Sequence, residues 1–166
     1  MWKSIEKHFA RRSAGRLVVE AFLRYGLSVH ADGQIFCGPF EMAPAKIGRS
    51  LKVDRRVVIA TAKQIASHED LISIFAKLEP RAYVGEAASK LGFDTIEISA
   101  DAHASGIVSD VTGVLSEHKV TIRQAIADDP DLFPEPKLSI VVDGRLPLKA
   151  LQALRKLPSA EKIAIH

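Results

Sequence analysis

The chain has 166 residues, of which 47% are hydrophobic and 26% charged, and its formal net charge is +3. This length allows one good hydrophobic core or two small ones. No apolar run approaches the ~18 residues that a membrane-spanning helix needs, and the N-terminus lacks the apolar core of a signal peptide, so we expect a cytoplasmic protein outside the membrane. The single cysteine, Cys37, has no partner for an internal disulfide.

The first 80 residues are predicted to form a mainly helical domain. A basic helix over residues 2–12 is followed by a second helix that begins at Ser13 and ends at Gly26. A two-strand hairpin over residues 27–37 comes next, and we interpret it as a packing element rather than a wing against DNA. Ser67 is the expected N-cap of a later helix, which Pro80 ends.

Residues 47–65 have the pattern of two short helices joined at a sharp turn. Ile47 and Leu51 lie one helical turn apart, Val53 is an apolar residue in the turn, and Asp54 is a good N-cap for the second helix. The apolar residues of the second helix recur at helical spacing, at Val57, Val58, Thr61, Ala62 and Ile65. The pattern is typical of a helix-turn-helix, and a generic helical hairpin is the alternative.

The charge of this segment favours DNA as its partner. In DNA-binding helix-turn-helix units, the N-terminal residues of the second helix meet phosphates and base edges. Residues 1–80 carry 13 Lys+Arg against 8 Asp+Glu, whereas residues 81–166 carry 10 against 12. The predicted DNA-binding residues are Arg49, Lys52, Arg55, Arg56 and Lys63. Of these, Lys52 occupies a turn position that is usually glycine, because that position tends to need a positive φ.

After a connecting segment, residues 81–93, the second half is predicted to form a β-α-β-β-α-β domain over residues 94–166. Polar and apolar residues alternate in 94–100, helical spacing follows to about Lys119, and strands are expected at 120–127 and 137–142. A helix beginning after Pro147 and a last strand with Ile163 and Ile165 complete the order. This is the ferredoxin-like arrangement, so the predicted fold class is α+β.

The junction of the first strand and helix of this domain reads Asp101-Ala102-His103-Ala104-Ser105-Gly106-Ile107-Val108 and resembles the ACT domain, a small-molecule sensor attached to enzymes and regulators of amino-acid metabolism. The whole chain resembles the archaeal ACT-domain proteins described as predicted regulators of amino-acid metabolism, which have a helix-turn-helix half in front. The segments that carry this wider resemblance are Val53-Asp54-Arg55-Arg56-Val57-Val58 and Leu132-Phe133-Pro134-Glu135-Pro136.

The resemblance implies a ligand site at this junction. In ACT domains the loop commonly reads Asn-x-Pro-Gly, and its glycine lets the backbone approach an amino acid held at a dimer interface. This chain keeps the glycine, has serine for the proline and histidine for the asparagine, and has threonine where many ACT domains carry a second asparagine. The implied ligand-binding residues are His103, Ser105, Gly106, Ile107, Val108 and Thr121. The alternative is a tight turn in a domain that serves only for dimerisation.

Catalysis has little support in the sequence. The six histidines are scattered without metal-ligand spacing, and Asp128, Asp129 and Asp131 are interpreted as a solvated loop. There is no phosphate-binding glycine loop and no dinucleotide fingerprint, so we expect no enzyme activity, no metal and no cofactor.

The leading hypothesis is therefore an amino-acid-responsive transcriptional regulator. Its first half is expected to bind DNA, and its ACT-like half to bind a free amino acid and form a homodimer. The alternative is a regulatory subunit that docks on an amino-acid biosynthetic enzyme through its helix-turn-helix.

Overall fold

The computed structural model describes residues 2–9, 13–100 and 105–166. The protein is α+β with two antiparallel sheets, which confirms the predicted class at this level. The chain divides into two compact units, Met1–Ala82 and Tyr83–His166. No helix in the described ranges is both long and apolar enough to cross a membrane.

The first unit combines helices with a small sheet whose strand order is β1-β2-β3. Its elements are α1 (Trp2–Glu6), α2 (Ser13–Tyr25), β1 (Leu27–Val29), β2 (Ile35–Cys37), β3 (Phe40–Glu41), α3 (Pro44–Leu51), α4 (Arg55–Ser67) and α5 (Glu69–Phe75). Helix α4 contacts α2, α3, α5 and β1 and lies at the centre of this unit. Its Val58, Ala62 and Ile65 are fully buried, because the 3.6-residue period places them on one face.

Several local predictions for this unit are confirmed and others are wrong. Gly26 ends α2 in the left-handed conformation, at φ 63°, as predicted. Helix α1 was predicted to extend to residue 12, but it ends at Glu6. Residues 10–12 lie outside the described residues. Ser67 is not the N-cap of α5, since it is the last residue of α4 and its hydroxyl donates to the Gln64 carbonyl; His68 takes the N-cap position.

Gly48, which has no side chain, allows α3 to pack closely against the start of α4. Gly48 lies in α3 and is buried against the turn that leads into α4. A Cβ at this position would lie 2.8 Å from the Val53 carbonyl oxygen and 3.2 Å from the Arg55 nitrogen. The Val53 N–H donates to the Gly48 carbonyl at 2.9 Å, so the turn is held directly against the helix.

The second unit is a four-stranded sheet with two helices on one face. Its elements are a 3₁₀ helix (Gly85–Leu91), β4 (Asp94–Ser99), α6 (Ile107–Glu117), β5 (Ile122–Ala127), β6 (Leu138–Val142), α7 (Leu148–Leu154) and β7 (Lys162–Ile165). All neighbouring strands are antiparallel, in the order β5-β6-β4-β7. The core between sheet and helices is formed by Ile96, Ile98, Val111, Leu115, Leu138, Ile140, Val142 and Leu154.

The 3₁₀ helix covers part of the opposite face of this sheet. The buried Thr95 hydroxyl donates to the Gly85 carbonyl at 2.9 Å, and Ala88 is fully buried, as is Val141 on β6. The Val84 N–H donates to the Gln124 side chain at 3.1 Å. Residues 83–93, predicted as part of a connecting segment, therefore pack as a layer of the second unit.

We predict that alanine at two helical glycines has opposite effects on stability. Gly48→Ala should destabilise the first unit by about 1–2 kcal/mol, because the added methyl overpacks the contact with Val53 and outweighs the gain in helix propensity. Gly113→Ala is the matched control, since nothing lies within 4 Å of a Cβ there, and it should stabilise the second unit by about 0.5–1 kcal/mol. Urea unfolding followed through amide signals of each unit measures both changes, and equal shifts would contradict the packing described.

Candidate functional sites: a cationic helix pair and the loop before α6

The net charge of the first 80 residues is concentrated in the α3–α4 helix pair. Residues 44–67 contain six Lys+Arg and a single acid, Asp54. The other residues of the range 1–80 contain seven Lys+Arg and seven Asp+Glu, so they are neutral as a set. The cationic surface is thus a local feature of the helix pair and not a property of the whole unit.

The turn between the two helices has the predicted geometry. Lys52 follows α3 in the left-handed conformation, at φ 56° and ψ 38°, which a lysine adopts at a cost of about 1 kcal/mol. Asp54 is the N-cap of α4, and its carboxylate accepts the Arg56 N–H at 2.8 Å. These contacts leave the first turn of α4 exposed to solvent.

The two arginines of this turn are not equivalent. The Arg56 guanidinium returns to Asp54, with Nε 3.2 Å from Oδ1 and Nη2 3.1 Å from Oδ2. These hydrogen bonds and the Arg56 N–H hold the pKa of the Asp54 carboxyl below its ordinary value. Arg55 is exposed and makes no ion pair with any residue that the structure describes. It is therefore the freer of the two charges.

The remaining predicted DNA-binding residues are also exposed. Arg49 lies in the last turn of α3, Lys52 in the turn, and Lys63 two turns along α4 from Arg55. None of the three forms an ion pair within the described ranges. Helix α4 has no acidic residue. Acidic side chains near a helix N-terminus stabilise the helix through its dipole, whereas cations there destabilise it.

The hairpin lies beside α4 but does not extend the cationic surface. A Cβ on Gly33 in the hairpin turn would be 3.4 Å from the Lys63 side chain. Residues 26–45 contain Asp32 and Glu41 and no Lys or Arg. Because β1 is wholly buried and the segment is anionic, the structure favours packing over a phosphate-binding wing.

In the candidate ligand loop, His103 lies outside the described residues. Ser105 and Gly106 are exposed, and Gly106 is the N-cap of α6 at φ 98°. Its carbonyl accepts the Asp110 N–H at 2.9 Å and the Ser109 hydroxyl at 2.8 Å. Glycine suits this position because side chains disfavour a positive φ.

A small cavity lies next to this loop. It has a volume of about 70 Å³ and is lined mainly by apolar side chains, including Ile98, Ile107, Val108, Ala127 and Leu138. The structure therefore brings Ile107 and Val108 together at the end of β4, beside Gly106.

Thr121 does not belong to the same end of the sheet. It precedes β5, and its carbonyl accepts the Asp143 N–H at 2.9 Å. Ile122 pairs with Val142, which pairs with Asp94, so Thr121 lies near the first residue of β4 whereas the loop follows the last. Five residue steps along a strand span roughly 17 Å. Within one chain, Thr121 is thus separated from the other candidate ligand residues.

The first unit contains a polar cluster that the sequence did not predict. His8 Nε2 lies 2.9 Å from Asp70 Oδ2, and the His68 ring packs edge-on against the His8 ring with centroids 5.0 Å apart. The Gln64 side chain donates to the His8 carbonyl at 2.8 Å. These contacts tie the turn after α1 to α4 and α5. No group of three or more His, Cys, Asp or Glu within the described ranges is placed to hold a metal ion.

Comparisons with known proteins do not assign the chain to a family. No family matches the sequence, and no curated protein matches it. The chemotaxis kinase CheA P2 domain, solved with the response regulator CheY from Thermotoga maritima, is 17% identical at a TM-score of 0.36, over 45% of this chain and 95% of that one. The crystal structure of PH0061 is 11% identical at a TM-score of 0.29, over 92% of this chain and 88% of that one. Structural similarities at these TM-scores are too weak to assign a fold family or a function.

We predict that the Asp54 cap makes stability depend on acid pH. Its folded-state pKa is lowered, chiefly by the Arg56 hydrogen bonds, so its contribution is complete above the unfolded pKa of ~3.9 and is lost as pH falls through the folded value. Asp54→Asn should therefore be less stable than wild type at neutral pH, and the difference should shrink below pH ~4. Thermal unfolding across this range measures it, with Glu41→Gln as the control. A difference that is constant with pH would contradict the cap's role.

Proposed function

We propose that the protein is a cytoplasmic, amino-acid-responsive transcriptional regulator, in which the first unit binds DNA and the second unit senses a small molecule. The observation that carries the proposal is the placement of charge. Six cations and one acid lie in the α3–α4 pair, while the rest of the first 80 residues is neutral. Such a concentration on one exposed element is the electrostatic footprint of a polyanion-binding surface.

The geometry of the pair supports a helix-turn-helix assignment. Helix α3 ends in the left-handed Lys52, the turn packs on Gly48, and α4 begins with the exposed Arg55. A second helix presented in this way is suited to the major groove, with its N-terminal residues at the phosphates. The unfavourable placement of Arg55 and Arg56 against the helix dipole becomes favourable when an anion lies at the helix N-terminus.

The second unit supports an ACT-like sensor. Its chain order is β-α-β-β-α-β and its strand order is β5-β6-β4-β7, with both helices on one face, which is the ferredoxin-like arrangement. Gly106 at the start of α6 allows close backbone approach, and a helix N-terminus favours a carboxylate such as that of a free amino acid. Edge strands β5 and β7 each have one side without a partner strand in the described sheet, so we propose a homodimer through this unit.

A second candidate function is a regulatory subunit that docks on a biosynthetic enzyme through α4. The observation that favours it is Ile59, an exposed apolar side chain on the outer face of this helix. The two functions differ in salt dependence. Binding through several phosphates weakens steeply as salt rises, whereas docking through an apolar helix face changes little.

We predict that Arg55→Ala weakens binding to the DNA upstream of the protein's own operon. The slope of log affinity against log salt should fall in magnitude by roughly 0.9, because one phosphate contact is lost. Fluorescence anisotropy over a salt series measures this slope, and Lys77→Ala, at an exposed lysine outside the helix pair, should leave it unchanged. Wild-type protein that binds no genomic fragment at low salt would refute the regulator proposal.

We predict that Gly106→Ala removes the thermal shift that the bound amino acid produces. A ligand at ~100 times its dissociation constant stabilises the folded state by ~2.7 kcal/mol, which a screen of the twenty amino acids detects. Gly144→Ala is the matched control, because Gly144 also has a positive φ, of 77°, but lies beyond β6 at the Asp94 end of the sheet. Light scattering should show both variants as dimers, and a full shift in Gly106→Ala would move the ligand away from this loop.

A further inference from the structure

The outer face of α4 has an apolar centre between two cations. Arg56, Ile59, Ala60 and Lys63 follow the i, i+3, i+4, i+7 spacing that places residues on one helix face. All four are exposed, whereas the opposite face buries Val58, Thr61, Ala62 and Ile65. Ile59 remains 38% exposed, so an apolar side chain lies at the centre of this face.

The polar side chains next to the middle of α4 are not available to form hydrogen bonds with bases. Thr61 is buried, and the Gln64 amide already donates to the His8 carbonyl. Arg56 is held by Asp54 at the start of the helix. At the middle of the face only the aliphatic groups of Ile59 and Ala60 remain.

One feature of the major groove matches such a surface. Each base pair presents hydrogen-bond donors and acceptors there, and thymine alone adds a methyl group, at C5. An aliphatic side chain held between two cations can bury this methyl while the cations approach the flanking phosphates.

We propose that the middle of α4 recognises thymine, with Ile59 and Ala60 contacting thymine methyl groups in the major groove and Lys63 lying at a flanking phosphate. The proposal rests on the DNA-binding function proposed above and adds the chemical feature that the protein reads.

The test compares two duplexes that differ only in this methyl. The probe is the tightest-binding duplex selected from a random pool of about 30 base pairs, long enough for two half-sites about ten base pairs apart. It is synthesised once with thymine and once with deoxyuridine, which lacks the methyl and keeps the base pairing and charge. Wild type should bind the thymine duplex about 4-fold more tightly per contacted methyl, because each buried methyl is worth about 0.8 kcal/mol.

Three variants assign the effect to the helix face. Ile59→Ser should lose most of the preference for the thymine duplex over the deoxyuridine duplex, whereas Ile59→Val should keep it. Leu17→Ser is the matched control, because Leu17 is an exposed apolar residue on α2, and it should discriminate as wild type does.

The outcomes separate this proposal from the function on which it rests. Equal affinities of wild type for the two duplexes, or a selected duplex without thymine, would overturn thymine recognition and leave DNA binding standing. Discrimination that survives in Ile59→Ser would also overturn it. A pool from which no duplex is enriched at low salt would refute DNA binding itself.

Discussion

The first unit depends on the absence of a side chain at Gly48. The Val53 carbonyl oxygen lies only 2.8 Å from where a Cβ would be, so the turn after α3 packs directly on that helix and fixes where α4 begins. The left-handed Lys52 reverses the chain, and the Asp54 cap then starts α4 within two residues. Any wider separation of the two helices would leave buried Ile47 and half-buried Val53 without their packing, and the direction in which Arg55 points would be lost.

Within this frame, Asp54 reconciles stability with a cationic surface. Two arginines at a helix N-terminus oppose the helix dipole, and α4 has no acid of its own to compensate. Asp54 caps the backbone and also accepts two hydrogen bonds from the Arg56 guanidinium. One carboxylate thereby pairs with the guanidinium of Arg56 and leaves Arg55 exposed.

In the second unit, the two ends of the sheet differ in a way that positions the candidate loop. At the beginning of β4, the buried Asp94 carboxylate accepts hydrogen bonds from the Arg145 guanidinium at 2.7 Å and from the Leu146 N–H at 2.8 Å. These bonds close that end of the sheet. At the other end, the chain leaves Ser99 for the loop before α6, and a small apolar cavity remains. The 3₁₀ helix packs over Thr95, near the closed end. The candidate loop therefore lies at the end of the sheet where this cavity is found.

The sequence predicted those elements whose two faces meet different environments. Helix α4 has a periodic pattern because one side is buried and the other is exposed, and strand β4 has one because Ile96 and Ile98 face the helices while Thr95 faces the 3₁₀ helix; both were located correctly. Strand β3 has two exposed residues and the 3₁₀ helix is buried through Gly85 and Ala88, so neither produces such a pattern. The exposure of the cationic residues also followed from periodicity. The pairing of Arg56 with Asp54 did not, because it joins a helical residue to a non-helical one outside helix spacing. The position of Thr121 needed the register of three strands, which no local pattern contains.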